Sequence, residues 1–253
     1  MVDPRTDDLL AKDLAVDAGR VLLRIRGDYP ADGDALALKN AGDLGSHDFL
    51  MAMLAQARPD DAVLSEEGAD NPARLATERV WIVDPLDGTR EFSERPRDDW
   101  AVHVALWERG ELVAGAVALP AREQVFATDA PPAIPAASGG KIRLAVSRSR
   151  PPAWLPALVE ALDAEVVPMG SAGVKAVSVL DGSTDAYVHA GGQYEWDSAA
   201  PVAVASAAGL HTSRVDGSPL LYNQPNVLLP DLVVCRPELA EQILAAVARL
   251  GIS

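Results

Sequence analysis

The stretch VWIVDPLDGT, residues 80–89, carries the densest structural and chemical signal in this 253-residue sequence. Residues 80–83 are apolar and rich in β-formers, which predicts a short strand. Asp84 and Asp87 follow across a turn that contains proline, so their carboxylates and the Leu86 carbonyl would converge beyond the strand end. Oxygen ligands alone favour Mg²⁺ or Ca²⁺ over zinc or copper. The stretch therefore predicts a hard-cation site; the alternative is an Asp-rich turn in which an aspartate caps the next helix.

Gly88 and Thr89 add a site for an anion beside the cation site. Gly88 lets the backbone approach a ligand closely, and the free N–H groups of a helix beginning near Thr89 would bind a phosphate oxygen. Two cations beside such a pocket are the parts needed for in-line attack of activated water on a phosphate monoester. The reaction that these residues predict is the hydrolysis of a phosphate.

Two further acidic clusters occupy similar places in the sequence. Glu66 and Glu67 follow a short apolar run, residues 62–64, and Asp197 opens an Ala-rich helix. Taken singly, each has a plainer interpretation, because glutamates suit a helix start and aspartate is a common N-cap. Three acidic clusters would repel one another unless cations lay between them. Their coincidence favours a site with more than one metal ion.

Composition and charge exclude several classes of protein. The sequence has 37 acidic and 22 basic residues, a formal charge of −15, so its surface field would repel a nucleic acid polymer. A hydrophobic content of 49% is ample for a large core. Cys235 is the single cysteine, which excludes an intramolecular disulfide or a thiolate metal cluster. A reducing compartment is therefore expected.

No targeting or membrane-spanning segment is predicted. The N-terminus is acidic and lacks the basic start and apolar run of a secretory signal, and it is not an Arg-rich transit peptide. The longest stretch of low polarity, about residues 199–210, is too short to cross a bilayer. We therefore expect a cytoplasmic protein without a membrane partner.

Residues 1–128 are predicted to form an α+β half that binds the metal. Apolar residues at helical spacing predict an opening helix that stops at Gly27, and a second helix is predicted from Ser46 to about Ala57. An antiparallel hairpin and one further strand are predicted after the metal-binding stretch. These three strands are residues 100–107, 112–119 and 124–127.

A loop rich in Pro, Ala, Gly and Ser, residues 129–140, separates this half from a second one, residues 141–253. Strand and helix alternate in the second half, which predicts an α/β half that completes the active site. Its predicted strands are residues 142–146, 165–167, 186–188 and 232–234, and its predicted helices are residues 154–162, 172–180, 198–208 and a closing helix from about residue 238. The fold class predicted for the whole chain is α+β, with layered α/β character.

Three motifs together resemble those of the lithium-sensitive, Mg²⁺-dependent phosphatase superfamily, which includes inositol monophosphatases, fructose bisphosphatases and CysQ-type phosphatases. The motifs, in family order, are Ser65-Glu66-Glu67, Asp84-Pro85-Leu86-Asp87-Gly88-Thr89 and Trp196-Asp197-Ser198-Ala199-Ala200. The resemblance implies an inositol-monophosphatase-like αβαβα sandwich and two to three Mg²⁺ ions per site. It implies that Glu66, Asp84 and the Leu86 carbonyl hold one ion. The second would be held by Asp84, Asp87 and Asp197, while Glu66 also reaches a third ion through water.

The resemblance also implies an aspartate upstream of the glutamate that, with the threonine of the DGT motif, orients and deprotonates the attacking water. We expect Asp43 in this role, together with Thr89. The sequence departs from the family here, since the usual Val-Thr-x-x-Asp stretch is replaced by Lys-Asn-Ala-Gly-Asp, residues 39–43. Asp48 is the rival candidate, and a loop or capping role is the structural alternative for Asp43.

The residues around the motifs resemble the CysQ branch, whose members act on 3′-phosphoadenosine 5′-phosphate (PAP). Arg90-Glu91-Phe92 follows the DGT motif as Lys-Glu-Phe does in that branch, and Arg148 and Lys175 lie in stretches similar to its own. A cation there suits a substrate with a second phosphate, and arginine offers a bidentate contact. A solvated basic loop is the alternative for Arg148 and Lys175. The residues implied to bind substrate are Asp87, Gly88, Thr89, Arg90, Arg148, Ser171, Lys175 and Asp197.

The function favoured by these residues is that of a metal-dependent hydrolase of a small phosphorylated substrate, and the resemblance implies that it uses Mg²⁺ and is sensitive to Li⁺. The resemblance implies a 3′(2′),5′-bisphosphate nucleotidase that converts PAP to AMP and phosphate and so clears a by-product of sulfate assimilation, acting as a monomer or homodimer. An inositol monophosphatase or fructose-1,6-bisphosphatase is the alternative within the class, and a non-catalytic metal-binding homologue is the alternative outside it. His103 and His189 lie in apolar strand contexts and are interpreted as structural.

Overall fold

The computed structural model describes residues 3–137 and 139–252. The elements before the central loop are α1 (Asp7–Asp28), α2 (Ala35–Ala57), β1 (Ala62–Ser65), β2 (Arg79–Asp87), α3 (Thr89–Ser93), β3 (Ala101–Glu108), β4 (Glu111–Leu119) and β5 (Gln124–Ala127). Those after it are β6 (Arg143–Ser147), α4 (Leu155–Leu162), β7 (Glu165–Met169), α5 (Ala172–Leu180), β8 (Ala186–Tyr194), α6 (Glu195–Ala207), β9 (His211–Ser213), β10 (Leu228–Cys235) and α7 (Ala240–Leu250). Short 3₁₀ helices lie at Pro72–Ala76, Pro120–Arg122 and Pro237–Leu239. Across the described residues, no helix combines the length and the apolar character needed to cross a bilayer.

The strands in the described part of the chain form two five-stranded sheets. In the first sheet the order is β1-β2-β3-β4-β5, with β1 parallel to β2 and the other neighbours antiparallel. In the second it is β7-β6-β8-β10-β9, with β7, β6 and β8 parallel and the remaining pairs antiparallel. The predicted hairpin is confirmed as β3 and β4. Its two-residue loop is Arg109-Gly110, both at positive φ, as a tight turn between right-twisted strands requires.

Helices cover and separate the two sheets, which gives five layers. α1 and α2 pack on the outer face of the first sheet, where Leu14, Leu50 and Trp81 are buried in one cluster. α5 and α6 lie between the sheets, and their residues Val177 and Ala200 share a core with side chains of both sheets. α4 and α7 cover the outer face of the second sheet. The layers therefore follow the order αβαβα, which confirms the predicted α+β class and the sandwich that the resemblance implied.

The Ala-rich sequence of α6 follows from how closely this helix packs on the first sheet. A Cβ added to Gly115 on β4 would lie 2.6 Å from the Cβ of Ala203 and 3.2 Å from the carbonyl oxygen of Ala200. Larger side chains at these positions would push the helix away from the sheet, because protein interiors have almost no free volume. The start of α6, and Asp197 with it, is thereby held against a sheet built from the other half of the chain.

The second helix begins earlier than the sequence pattern predicted. α2 starts at Ala35 rather than near Ser46, because the side chain of Asp34 caps it by accepting the Leu36 N–H at 2.9 Å. Asp43 therefore lies inside a helix. Its interpretation as a loop or capping residue is wrong.

Three smaller differences also separate the prediction from the structure. α1 runs through Gly27 and ends at Asp28, since one glycine near a helix end costs only about 1 kcal/mol. Asp197 is not the N-cap of α6: Tyr194 occupies that position, and Asp197 lies in the first turn. The short strand His211–Ser213 was not predicted, because three residues are too few to show a periodic pattern.

The division into residues 1–128 and 141–253 stays a prediction. Each sheet takes its strands from one side of the loop at residues 129–140. However, α5 and α6 from the second half share a buried core with the first sheet. The two halves therefore meet through a common hydrophobic layer.

Candidate active site

The parallel pairing of β1 and β2 brings two of the acidic motifs together. Ser65 pairs with Val83, so Glu66 leaves the end of β1 beside the strand that carries Asp84. The Glu66 N–H extends this pairing by donating to the Val83 carbonyl at 3.4 Å. Within the next turn, Asp84 Oδ1 accepts the Leu86 N–H at 3.0 Å. The Asp84 side chain therefore stabilises the conformation of the turn from which it projects.

The third acidic motif comes from the second half of the chain. Asp197 lies in the first turn of α6, where its Oδ2 accepts the Tyr194 N–H at 2.6 Å. Asp84, Asp87 and Asp197 each offer one carboxylate oxygen, and these oxygens all lie within 4.8 Å of one another. A set made only of carboxylate oxygens fits a hard divalent cation. The structure therefore brings together carboxylates that lie more than 100 positions apart in the sequence.

The pKa values of these carboxylates are raised by their surroundings. Burial, with the charge of Glu66 next, holds the pKa of Asp84 well above its ordinary value. Burial and the charge of Asp87 raise the pKa of Asp197 to about 6. Burial and the charge of Asp197 likewise raise the pKa of Glu66. Because each shift reflects an unfavourable negative charge, a cation at this place would stabilise the ionised cluster.

Asp87 is held from two sides. Its carboxylate accepts the N–H of Ala172 at 3.0 Å, the N–H of Gly173 at 2.6 Å and the Ser171 hydroxyl. These donors begin α5, whose positive end favours an anion. On the other side, His103 Nε2 lies 3.3 Å from Asp87 Oδ2. Burial alone would raise the pKa of Asp87, but the contacts led by His103 outweigh it and lower the pKa.

His103 lies at this site, although its apolar strand context indicates a structural residue. Its side chain is completely buried on β3, and its Nδ1 lies 3.0 Å from the Trp196 carbonyl oxygen. It thus joins β3 to the start of α6 and to Asp87. No local motif marks this histidine, and only the register of β2 and β3, which pairs it with Asp84, places it here.

Asp43 and Thr89 meet at the edge of the cluster. The Thr89 hydroxyl is 3.3 Å from Asp43 Oδ1 and 3.2 Å from the Leu86 carbonyl oxygen, both of which are acceptors for its proton. Burial, and then the charge of Glu67, raises the pKa of Asp43 to about 6. Asp48 lies five residues along the same helix, about 140° around its axis from Asp43. The geometry therefore favours Asp43 over its rival.

Gly88 is required by the geometry between β2 and α3. Its φ is +87°, and a Cβ there would lie 3.1 Å from the Cβ of Ser171 and 3.3 Å from the Asp99 carbonyl oxygen. Both the left-handed conformation and the close approach of Ser171 and Asp99 exclude a larger residue. This explains why glycine, rather than another small residue, stands between the second aspartate and the threonine.

Most of the predicted site residues line one cavity of about 610 Å³. Asp43 does not line the cavity itself but accepts a hydrogen bond from the hydroxyl of Thr89, which does. Arg150 is not among the predicted site residues but also lines the cavity. The predicted residues in the wall are Glu66, Asp84, Leu86, Asp87, Gly88, Thr89, Arg90, Ser171, Lys175 and Asp197.

The predicted cationic residues differ in their surroundings. Lys175 is 7% exposed on α5, and its Nζ donates to the carbonyl oxygens of Gly170 and Ser171, the latter at 2.7 Å. Burial lowers its pKa, and Asp87 opposes that shift. The interpretation of Lys175 as part of a solvated loop is therefore wrong. Its role in binding substrate stays a prediction.

Arg148 is engaged by two carboxylates. Its Nη2 lies 2.7 Å from Glu91 Oε1 and 2.8 Å from Glu94 Oε2. Among the described residues that line the cavity, Arg90 and Arg150 are present and Arg148 is not. A direct contact between Arg148 and substrate stays a prediction, and it would require the guanidinium to share its charge with Glu91.

Comparison with known proteins identifies similar sequences and structures. The sequence model of the inositol monophosphatase family matches residues 11–251. A Mycobacterium tuberculosis protein named 3′-phosphoadenosine 5′-phosphate phosphatase is 53% identical over 240 residues, covering 92% of this chain and 90% of that protein. The 3′(2′),5′-bisphosphate nucleotidase CysQ of Escherichia coli K12 is 31% identical over 226 residues, covering 83% and 91%. The crystal structure of CysQ from Bacteroides thetaiotaomicron superposes with a TM-score of 0.81 at 26% identity, covering 91% of this chain and 97% of that one.

Proposed function

The chain belongs to the inositol monophosphatase family, and from this membership we propose that it is a metal-dependent 3′(2′),5′-bisphosphate nucleotidase that hydrolyses PAP to AMP and phosphate. The observation that carries the proposal is the cavity in which carboxylates from three motifs meet cationic side chains. A relative named 3′-phosphoadenosine 5′-phosphate phosphatase, at 53% identity, and one named 3′(2′),5′-bisphosphate nucleotidase CysQ, at 31% identity, support the choice of substrate.

The carboxylate oxygens of Asp84, Asp87 and Asp197 fit a hard divalent cation, and we propose two Mg²⁺ ions at this site. We assign Glu66, Asp84 and the Leu86 carbonyl to one ion, and Asp84, Asp87 and Asp197 to the other, with Glu66 reaching a third through water. When bound, such ions acidify water and neutralise the charge that develops on the phosphate. The protein contributes rigidity: Asp87 is fixed by the N-terminus of α5, and Asp197 is fixed by the Tyr194 N–H.

Asp43 and Thr89 orient the attacking water and remove its proton. The Thr89 hydroxyl donates its hydrogen bond to Asp43 Oδ1. The Thr89 oxygen can therefore accept a hydrogen bond from the attacking water. A carboxylate whose pKa is raised to about 6 is a stronger base than an ordinary aspartate and is still ionised at neutral pH. The proton of the water passes to Asp43 through the Thr89 oxygen in this proposal.

The rest of the cavity binds the substrate. The N–H groups that follow Gly88 at the start of α3 would bind one phosphate, and Ser171 and Lys175 line the same cavity. Arg90 lines the cavity, and we assign it to the second phosphate of PAP; Arg148 stays a candidate for the same contact. Arginine suits this contact because its guanidinium binds a phosphate through two hydrogen bonds.

We propose that the protein works in the cytoplasm on PAP left by sulfate assimilation, as a monomer or homodimer. Its formal charge of −15 supports a small substrate drawn in by cations rather than a nucleic acid polymer. No membrane partner is part of this proposal.

A side-by-side assay of PAP, inositol 1-phosphate and fructose 1,6-bisphosphate in Mg²⁺ tests the function. We expect the highest kcat/KM for PAP, because only PAP offers both a second phosphate and a base. A higher kcat/KM for inositol 1-phosphate would overturn the substrate and leave the metal chemistry standing. Failure to release phosphate from any of them would favour a non-catalytic metal-binding homologue.

A further inference from the structure

Tyr194 is an exposed aromatic residue in the wall of the active-site cavity. It lies at the end of β8, and 47% of its surface is exposed. Its ring stacks on that of Trp196, with 4.8 Å between the ring centroids and 11° between the planes. One face of the tyrosine is therefore covered by an aromatic neighbour, and the ring remains accessible from the cavity side.

Tyr194 lies close to the place where the reacting phosphate would bind. Its backbone N–H donates to Asp197 Oδ2 at 2.6 Å, so the side chain begins beside one of the carboxylates assigned to the metal. In a nucleoside 3′-phosphate, one ribose separates the phosphate from the base. A phosphate held at the carboxylates would therefore leave its base within reach of a ring anchored one hydrogen bond away.

The chain next to Tyr194 leaves room for a flat ligand. Gly191 and Gly192 line the same cavity and have φ angles of +127° and +86°. Over these two residues the wall carries no side chain. The hydrogen bond to Asp197 uses the Tyr194 backbone, so holding the carboxylate does not require the phenol ring.

We propose that Tyr194 is the specificity-determining residue that receives the nucleobase of the substrate, which extends the Tyr194–Trp196 stack by one ring. The inference rests on the proposed function, since only a nucleotide substrate brings a base. Stacking is insensitive to the identity of the base, because every base has a π-face. Tyr194 therefore distinguishes nucleotides from sugar and inositol phosphates, rather than adenine from guanine.

Steady-state kinetics of Tyr194→Leu and Tyr194→Phe on two substrates test this inference. The substrates are PAP and 1-O-methylribose 3,5-bisphosphate, which keeps both phosphates and lacks the base. We expect Tyr194→Leu to raise KM for PAP about tenfold more than KM for the base-free compound, given the usual strength of base–aromatic stacking. Tyr194→Phe retains the ring and should retain the preference for PAP.

Leu228→Ala is the matched control. Leu228 pairs with Tyr194 across β8 and β10 and is 45% exposed, so its truncation loosens the same strand end without removing a ring. It should keep the preference for PAP over the base-free compound. Equal losses of Tyr194→Leu on both substrates, or a fall in kcat alone, would overturn the inference and assign Tyr194 a structural role.

The wild-type protein separates this inference from the function on which it rests. If it prefers PAP to inositol 1-phosphate but handles PAP and the base-free compound alike, the base is not recognised and the inference about Tyr194 alone is wrong. If it prefers inositol 1-phosphate, the proposed function fails and the inference fails with it.

Discussion

At the scale of single residues, Asp84 shows most clearly that a carboxylate suited to binding a cation destabilises the metal-free fold. Its carboxylate is 1% exposed, and after burial the charges of Glu66, Asp87 and Asp197 raise its pKa. Asp87 differs, because two N–H groups and a hydroxyl from α5 stabilise its charge. Among these carboxylates, Asp84 is therefore the one whose repulsion by its acidic neighbours is least offset by hydrogen-bond donors.

Asp84→Asn should raise the stability of the metal-free protein and abolish most of its activity. The asparagine Oδ1 can still accept the Leu86 N–H, while one negative charge leaves the cluster. We expect a higher Tm in EDTA, a smaller rise of Tm on adding Mg²⁺, and turnover reduced by at least about 100-fold. Differential scanning fluorimetry and phosphate release measure these effects.

The control for Asp84→Asn removes the same charge from the surface. Asp163 is the exposed C-cap of α4 in the left-handed region, which asparagine tolerates. Asp163→Asn should leave the Mg²⁺ response and turnover as they are in wild type. A lower Tm of Asp84→Asn in EDTA, or a full response to Mg²⁺, would contradict the assignment of Asp84 to the metal.

Asp43→Asn should separate proton transfer from metal binding. The carboxylate contacts Thr89 and is not among the carboxylates that converge in the acidic trio. We expect kcat to fall by about 10²- to 10⁴-fold, the range for loss of a general base, with the Mg²⁺-induced rise in Tm retained. Asp48→Asn, on another side of the same helix, is the control and should keep wild-type kcat. A loss of kcat in Asp48→Asn, with wild-type kcat in Asp43→Asn, would instead assign the role of general base to Asp48.

At the scale of elements, the second sheet is tied together by a charged clamp at the start of its strands. Asp185, which precedes β8, accepts the backbone N–H of Arg143 at 2.9 Å and its Nε at 3.0 Å with one oxygen, and its Nη2 at 2.9 Å with the other. Burial raises the pKa of Asp185, but these hydrogen bonds outweigh it and lower the pKa. The parallel neighbours β6 and β8 are therefore joined by a side chain as well as by their ladder.

Asp185→Asn should lower Tm by a few degrees at pH 7, because an amide NH₂ would face donors of Arg143. A carboxylate whose pKa is lowered in the folded state stabilises the protein above its unfolded pKa, here about 3.8, and loses this contribution as pH falls through the folded value. The difference in Tm between wild type and variant should thus be full above about pH 4 and shrink below it. Thermal melts across this range measure it.

Asp181→Asn is the control for the clamp. Asp181 is an exposed residue whose Oδ1 accepts the Ser183 N–H, a bond that asparagine retains. Its Tm should follow that of wild type at every pH. A pH-independent difference in Tm for Asp185→Asn would mean that lost packing, rather than the ionised clamp, is responsible.

At the scale of the whole molecule, the active site lies where the two halves of the chain meet. The first sheet supplies Glu66, Asp84 and Asp87, while α6 of the second half supplies Asp197. Helices α5 and α6 are packed between both sheets. Cations bound at the carboxylates would therefore join the two halves and stabilise the entire fold.

Metal ions should control both stability and turnover. Mg²⁺ at 100 times its Kd should stabilise the folded state by about 2.7 kcal/mol, and EDTA should reverse this and stop turnover. Ca²⁺ should also raise Tm but support little turnover, because its coordination is looser. Li⁺ should inhibit in the presence of Mg²⁺, as the family resemblance implies. Activity that is indifferent to EDTA and Li⁺ would remove the protein from this mechanism.

The sequence by itself determined the elements and motifs whose signals are local. The apolar run before Asp84, the hairpin around Arg109-Gly110 and the alternation of strands and helices predicted most of the strands of both sheets. The three acidic motifs are contiguous stretches at strand ends or helix starts. They are visible because strand periodicity, turn chemistry and carboxylate spacing depend on residues only a few positions apart.

Only the tertiary structure decided which distant residues meet. His103 reaches Asp87 through the register of β2 and β3, and Arg148 meets Glu91 although 57 positions separate them. The exposed ring of Tyr194 lines the same cavity as Glu66 and Asp84, which come from the other half of the chain. Such contacts depend on the packing of layers built from both halves of the chain, and no local pattern encodes the distance between two layers.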